Sequence, residues 1–323
     1  MNRRAYIALF LGAVVMPLLT QCGQGMGELV PAGMVRAREP EAELLMLKAK
    51  AAIKENDWGD ARSYLQKIVR GHRLAPNAAE AQLLLGDVHR QLGNYRDAFK
   101  QYDTVVQGYQ NSSLYEQALN RQLSLATDAA TGKLQVPVFW GAWEAPMDSS
   151  VVEEWLRKVI SNAPYDEMSA TAASVLAKYL VDIDRPYEAI GAYSELAQKY
   201  PDSKYAPGAQ LMVGKLWAQS RTRGDRNPAN LRHAQEAYED FCLRFPNHAG
   251  VREAKAGVQS MRSLLVQQQL DVGRYYLERA REYDSAIFCF RDVIRQKADN
   301  PEAAKVAATL LQQAEAAKKA NAR

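Results

Sequence analysis

The sequence predicts an all-α fold, a solenoid of stacked helical hairpins, from a recurring spacing and from its composition. Five pairs spread along the chain combine a small residue with an aromatic residue or leucine four positions later, often with a proline further on. Alanine, leucine, glutamine and charged residues dominate, and no long alternating run of β-branched residues favours a sheet. The five pairs are Ala61 with Leu65, Ala98 with Tyr102, Ala189 with Tyr193, Ala234 with Tyr238, and Ala286 with Phe290.

The second of these pairs also carries the upstream half of the tetratricopeptide pattern. Gly86, Gly93 and Tyr95 lie twelve, five and three residues before Ala98. This spacing predicts repeating units of about 34 residues, each made of two antiparallel helices. Because one unit cannot bury its apolar face alone, neighbouring units must stack. We therefore expect a tetratricopeptide-like solenoid of about five hairpins, with extra helices and a C-terminal capping helix, that holds other polypeptides.

Composition and breaks in the helical pattern divide the chain into six segments. They are a signal peptide over 1–21, a lipidated flexible tether over 22–40, N-terminal repeats over 41–130, an insert over 131–149, C-terminal repeats over 150–300, and a capping helix with a polar tail over 301–323. Within the C-terminal repeats we expect a long helix over 250–269 and a separate helix over 270–281.

The start of the chain predicts export and lipidation. An apolar run follows two arginines, and it is too short to span a bilayer comfortably, which is typical of a signal peptide. Cys22 follows the run, and this segment resembles the lipobox of bacterial lipoproteins, in which the cysteine carries the lipid. Gln21 departs from the small residue that the lipobox prefers. The alternative is a secreted protein with a free cysteine, but exposed unpaired thiols are unusual in exported proteins.

The same resemblance gives an expected location. Gly23, rather than an aspartate, follows the cysteine, and in lipoprotein sorting this implies the periplasmic face of the outer membrane. The formal net charge is +4, and removal of residues 1–21, which contain Arg3 and Arg4 and no acidic residue, lowers it to +2. A nearly neutral body of this size argues against nucleic acid as the partner.

The insert interrupts the helical pattern with two prolines and two tryptophans. It is expected to form a loop or a short hairpin. Its aromatic residues either pack on the host or anchor a partner, since exposed tryptophans are favoured at interfaces. These residues are Phe139, Trp140 and Trp143.

The second half resembles a specific family. The run from Asp225 to Pro246, with His233, Tyr238 and Phe241, and the later run from Val272 to Arg279 are similar to BamD (also called YfiO or ComL), the lipoprotein subunit of the outer-membrane β-barrel assembly machine. The resemblance implies a scaffold that docks the barrel-inserting, BamA-like subunit through its C-terminal half and handles unfolded outer-membrane protein precursors. Candidate docking residues are Arg226, Arg244, Arg262, Arg274 and Arg279, a residue type enriched at interfaces.

Two features depart from that family. Where its members usually carry an Arg-Leu-Ala run followed by glutamate, this chain has Leu264, Leu265 and Val266, with Gln269 beyond them. The insert and the helix that follows it have no counterpart in the resemblance. A different cell-envelope adaptor, for peptidoglycan-linked coordination or pilus assembly, therefore stays open as an alternative.

The sequence offers no active site. The four histidines are scattered, none with a carboxylate or thiol at metal-ligand spacing. No nucleophile elbow occurs, and Cys242 and Cys289 have no neighbouring histidine. We therefore expect a protein that is not an enzyme and has no cofactor, no metal and no small-molecule substrate. The histidines are His72, His89, His233 and His248.

A peptide groove is the better expectation. In tetratricopeptide arrays the first helix of each hairpin lines the concave face. Counting along two such helices places Leu83, Asp87 and Arg90 there, and then Ser174, Lys178 and Val181. The Lys and Asn pair that clamps a terminal carboxylate in chaperone-docking versions of the fold is missing. The remaining set suits an extended peptide, and it suits a solvated face equally well.

Overall fold

A computed structural model describes residues 39–138, 143–164, 167–220 and 227–321, and these ranges contain thirteen α-helices and one β-hairpin. The helices are α1 (Pro40–Lys54), α2 (Trp58–Gly71), α3 (Ala78–Gln91), α4 (Tyr95–Gly108), α5 (Tyr115–Ala130), α6 (Ser149–Asn162), α7 (Glu167–Asp182), α8 (Pro186–Lys199), α9 (Ala206–Ser220), α10 (Pro228–Arg244), α11 (Val251–Tyr275), α12 (Tyr283–Arg295) and α13 (Pro301–Asn321).

Consecutive helices pack as antiparallel hairpins, and each hairpin stacks on the next. The pairs are α1–α2, α3–α4, α5–α6, α7–α8, α9–α10 and α11–α12, and α13 covers the last of them. This order confirms the all-α, tetratricopeptide-like solenoid. The described part of the chain holds six hairpins rather than five, because α5 and α6 pair with each other across the insert that separates them.

Aromatic rings fill the spaces that small residues leave where helices cross. A Cβ atom added to Gly214 on α9 would lie 2.7 Å from ring carbons of Tyr238, and one added to Gly257 on α11 would lie 2.6 Å from the opposite edge of the same ring. The ring of Tyr238 therefore sits between two helix backbones. Tyr102 covers Gly86 in the same way. Contacts this close explain why glycines of the neighbouring helices, where no Cβ is present, face the recurring aromatic residues.

The hairpin turns require an unusual backbone conformation. Residues just after the first helix of several hairpins have positive φ angles, 73° at Gly93 and 70° at Gly132. Glycine adopts this region without strain, and asparagine and aspartate tolerate it better than other residues. Asn56, Asp184 and Arg281 take the corresponding place in other hairpins, with φ angles of 61°, 59° and 56°.

The insert forms a two-stranded antiparallel hairpin, β1 (Gln135–Val138) and β2 (Trp143–Pro146). Leu134 and Met147, at its base, are buried in the core of the surrounding helices. On the helices themselves, Phe99 of α4 and Trp155 of α6 stack with ring centroids 4.6 Å apart. These contacts hold the second and third hairpins together beside the inserted strands.

The C-terminal region corrects one expectation. We predicted separate helices over 250–269 and 270–281, but α11 continues to Tyr275 and passes into a π-helical turn, Tyr276–Ala280. The reason is a buried stripe at Val266, Leu270 and Gly273, whose spacing of four and three residues keeps the helix in register with α12 and α13. The chain turns only at Arg281.

Candidate protein-binding surfaces

The predicted groove residues on α3 do not all reach the surface. Leu83 is only 2% exposed, and it packs with Ala98, Phe99 and Leu119 in the core. The expectation that Leu83 lines an open groove is therefore wrong. Its side chain fills the space between α3 and the next two helices, where a leucine is more stable than in water.

Asp87 lies at the surface but is occupied by neighbours. Its carboxylate accepts a hydrogen bond from the hydroxyl of Tyr102 at 2.9 Å and pairs with Nε of Arg121 at 2.8 Å. Burial of the ring, followed by the adjacent Asp87 carboxylate, raises the pKa of Tyr102 far above its usual range. The tyrosine that covers Gly86 thus also orients the first groove carboxylate.

Arg90 makes a second bridge between α3 and α5. One guanidinium nitrogen lies 2.6 Å from Asp128, and Lys133 approaches the same carboxylate at 3.4 Å. Asp87, Arg90, Arg121, Asp128 and Lys133 form what we call the polar ladder. Because its charges are paired within the chain, a ligand must compete with these ion pairs before it binds here.

The structure places the second predicted group on α7. Ser174 is half-buried and Lys178 is exposed, on a helix that packs beside α5. Val181, one turn later, is half-buried. Ser174, Lys178 and Val181 therefore lie on the first helix of the fourth hairpin, beside α5, which carries part of the polar ladder.

The candidate docking arginines fall into different environments. Arg244 donates to the backbone carbonyl of Ala197 at 3.0 Å and lies 3.5 Å from Asp240, so it joins α10 to the end of α8. Arg262 pairs with Glu239 at 2.7 Å. The guanidinium of Arg274 lies 3.6 Å from Asp271, Arg279 is exposed, and Arg226 lies outside the described residues.

Sequence reasoning missed an exposed aromatic stripe on α12. Phe288 is 65% exposed, and Asp284, Arg291 and Arg295 lie on the same helix face at helical spacing. Arg291 pairs with Glu315 of α13 at 2.9 Å, and Lys318 of α13 contacts Asp284. We call Asp284, Phe288, Arg291 and Arg295 the α12 stripe. Tyr275, at the end of α11, is also 59% exposed.

The signal for Phe288 was present in the sequence. Phe290 belongs to the repeating small–aromatic pair with Ala286 and is fully buried. A residue two positions before it on a helix points to the opposite side, so Phe288 had to face outward. Aromatic and arginine side chains together are the residue types that protein interfaces favour.

Some of the predicted functional residues lie outside the described ranges. Trp143 is largely exposed on β2, whereas Phe139 and Trp140 lie outside the described residues, as do Gln21 and Cys22. Within the described ranges, no group of three or more potential metal ligands occurs. None of the helices described is both long and apolar enough to cross a bilayer.

Residues 46–113 match the family model of the tetratricopeptide repeat. No curated protein sequence matches the chain. Similar solved structures include a tetratricopeptide repeat protein from Parabacteroides merdae, 14% identical, with 86% of this chain and 100% of that chain covered and a TM-score of 0.33. MamA from Desulfovibrio magneticus is 18% identical, with 63% and 96% covered and a TM-score of 0.31.

YrrB, described as a tetratricopeptide repeat protein with an unusual peptide-binding site, is 15% identical, with 67% of this chain and 91% of that chain covered and a TM-score of 0.31. None of these three likenesses bears on which partner this chain binds. Three observations support one conclusion: the matched repeats, the order of the hairpins, and the close packing of aromatic rings against glycines at the helix crossings. The chain is an array of tetratricopeptide-like repeats, a fold suited to binding other proteins.

Proposed function

We propose that the chain is a non-enzymatic lipoprotein scaffold of the outer-membrane β-barrel assembly machine. In this proposal Cys22 anchors it to the periplasmic face of the outer membrane. Its C-terminal hairpins dock the barrel-inserting, BamA-like subunit, and its N-terminal hairpins hold unfolded barrel precursors. The proposal rests on the BamD-like residues between Asp225 and Arg291 and on the lipobox-like start.

The observation that carries the docking role is the α12 stripe. Phe288 presents a large apolar surface between two cross-helix ion pairs. An aromatic side chain surrounded by charged groups resembles a binding hot spot with its water-excluding rim. The stripe lies at the end of the array where the sequence resemblance to BamD is concentrated.

The N-terminal end supports the client-binding role. Leu44 and Leu47 on α1 are 52% and 67% exposed. Three residues apart on a helix, they lie on one face. Unfolded chains expose apolar side chains, and an open apolar helix face at the start of the array can bury them.

The departure in α11 supports a second candidate function. Val266 is buried, and Leu264 and Leu265 are half-buried against the core of the preceding hairpin. This run therefore packs inside the chain, where members of the BamD family usually carry arginine and glutamate. The inserted β-hairpin is a further difference. Both features fit a cell-envelope adaptor with another partner, for peptidoglycan-linked coordination or pilus assembly.

Cross-linking and affinity purification of the intact lipoprotein from membranes tests the proposal. We expect recovery of a large barrel protein with repeated periplasmic domains, and we expect Phe288→Glu to abolish it. Leu243→Glu is the matched control, because Leu243 is even more exposed but lies on α10, outside the stripe. Recovery of a peptidoglycan-linked or pilus protein instead, or equal recovery by both variants, would count against the barrel-docking role.

A further inference from the structure

A groove of about 600 Å³ lies between α6 and α8, with α7 as its floor. α6 and α8 are the second helices of the third and fourth hairpins, and both pack on α7. The groove involves neither the polar ladder, which lies on α3 and α5, nor the α12 stripe. It is therefore a surface that the proposed docking function does not use.

Each wall of the groove is a straight stripe of one helix. Arg157 and Ile160 are three residues apart on α6, and Ala192, Glu195 and Lys199 are three and four residues apart on α8. Seven residues of helix extend about 10 Å, or roughly two turns. Two helices that flank a recessed third form a trough whose walls are about as long as two turns of a bound helix, the arrangement of a helix-in-groove site, in which an amphipathic helix lays down its apolar face.

The floor and walls are apolar where a ligand would insert. Ala173 and Leu176 of α7 form the bottom, and Ile160, Ala192 and Tyr200 line the sides. Two of these side chains are alanines, so space remains for a bulky side chain from outside. Leucine, isoleucine or phenylalanine would lose contact with water there and gain contacts with aliphatic groups.

The charges at the mouth of the groove are unequal. Lys199 and Glu195 pair at 2.5 Å within the α8 wall, so they compensate each other. Arg157 on the α6 wall is 57% exposed, and its carboxylate neighbour Glu153 lies 4.0 Å away. Glu153 is bound more closely by Arg185. Arg157 is thus the cation at the mouth that is least compensated, and an acidic side chain on a ligand would complement it.

We infer that the α6–α8 groove binds an amphipathic helix of a partner polypeptide. The helix spans two to three turns, places bulky apolar side chains at i and i+3 or i+4 on the floor, and carries a carboxylate that pairs with Arg157. This interaction is independent of the barrel-inserting partner and of lipidation.

A designed peptide tests the inference on the full-length protein. The probe is a fluorescent helical peptide of about 15 residues with leucines at helical spacing and glutamates on both flanks. Fluorescence anisotropy should show saturable binding. Arg157→Glu removes the complementary charge, and Ala192→Phe fills the trough, so each should weaken binding by about tenfold or more. An analogue with lysine in place of glutamate should lose affinity to a similar extent.

Two substitutions serve as matched controls. Arg232→Glu makes the same charge change at an exposed position of α10, and Ala256→Phe makes the same size change at an exposed position of α11. Both should leave the affinity unchanged. Arg157 is exposed, so its variant tests binding even if Ala192→Phe disturbs folding. Unchanged affinity in the Arg157→Glu variant, equally tight binding of the lysine analogue, or no saturable binding up to about 1 mM peptide would each overturn the inference.

Discussion

At the scale of single residues, the fold depends on where side chains are missing. The ring of Tyr238 occupies the space beside Gly214 and Gly257, and the ring of Phe290 occupies the space beside Gly273. Each glycine loses helix propensity relative to alanine, about 1 kcal/mol. Close packing of the aromatic ring between two helix backbones offsets this cost.

Gly214→Ala should therefore destabilise the protein although alanine is the better helix former. The new Cβ would lie 2.7 Å from Tyr238 ring carbons, and such overpacking costs about 1–3 kcal/mol. The matched control is Gly191→Ala on α8, where nothing lies within 4 Å of the added atom. That variant should gain up to about 1 kcal/mol. Thermal unfolding followed by circular dichroism measures both, and a higher melting temperature for Gly214→Ala would contradict this packing.

Residue-level prediction from sequence succeeded for the recurring core pairs but placed Leu83 wrongly, for a physical reason. Ala98 and Tyr102 recur in a pattern that only buried helix crossings explain, and both are fully buried. One residue along a helix rotates a side chain by 100°, so a count from Gly86 cannot tell whether Leu83 meets solvent or the neighbouring helix. The ion pairs of Asp87 and Arg90 with α5 depend on how hairpins stack, which the local sequence does not encode.

At the scale of elements, the inserted β-hairpin has blocked edges. In its register Pro137 faces Glu144, and Pro146 faces Gln135. Opposite residues in an antiparallel ladder alternate between pairs that bond each other and pairs whose N–H groups point outward. Proline has no N–H, so both proline pairs belong to the outward-pointing class, and each outer edge lacks a donor. Prolines on edges prevent the addition of another strand.

Restoring these donors should make the hairpin associate. A double variant, Pro137→Val with Pro146→Val, gives each edge an outward N–H and a residue that favours strands. We expect concentration-dependent oligomers in sedimentation velocity. Pro201→Val with Pro246→Val is the control, because these prolines are exposed but lie in turns between helices. If the hairpin variant stays as monodisperse as the control, the prolines do not protect the edges.

Prediction of secondary-structure elements was weakest at the insert and at the end of α11, where the repeating helical pattern changes. The sequence indicated a break in helical pattern at the insert but not that α5 and α6 pair across it. The π-helical turn at Tyr276–Ala280 was also missed. No glycine or proline lies within this turn to indicate a change of helix type. The buried stripe from Val266 to Gly273 continues α11 past the end that the sequence predicted.

At the scale of the whole molecule, the two ends of the array differ. α13 buries alanines against α12, among them Ala303, Ala307 and Ala314, and its outer side is mostly polar, as a terminal cap requires. α1 instead exposes Leu44 and Leu47 at the opposite end. Under the proposed lipidation of Cys22, this uncapped first hairpin would hold client chains near the membrane.

Lipidation at Cys22 is the prediction that fixes where this array works. Each buried methylene contributes about 0.8 kcal/mol, so one acyl chain binds a membrane only reversibly, whereas a diacylglyceryl group with a third chain anchors firmly. Metabolic labelling with a fatty-acid probe should mark the wild type, and Cys22→Ser should lose the label and move from the membrane to the soluble fraction. Cys242→Ser is the control, because Cys242 lies half-buried on α10 and its loss should leave both label and location unchanged. Equal labelling of the Cys22→Ser variant would show that the lipobox resemblance is misleading, and Gln21 would then be the residue that explains why.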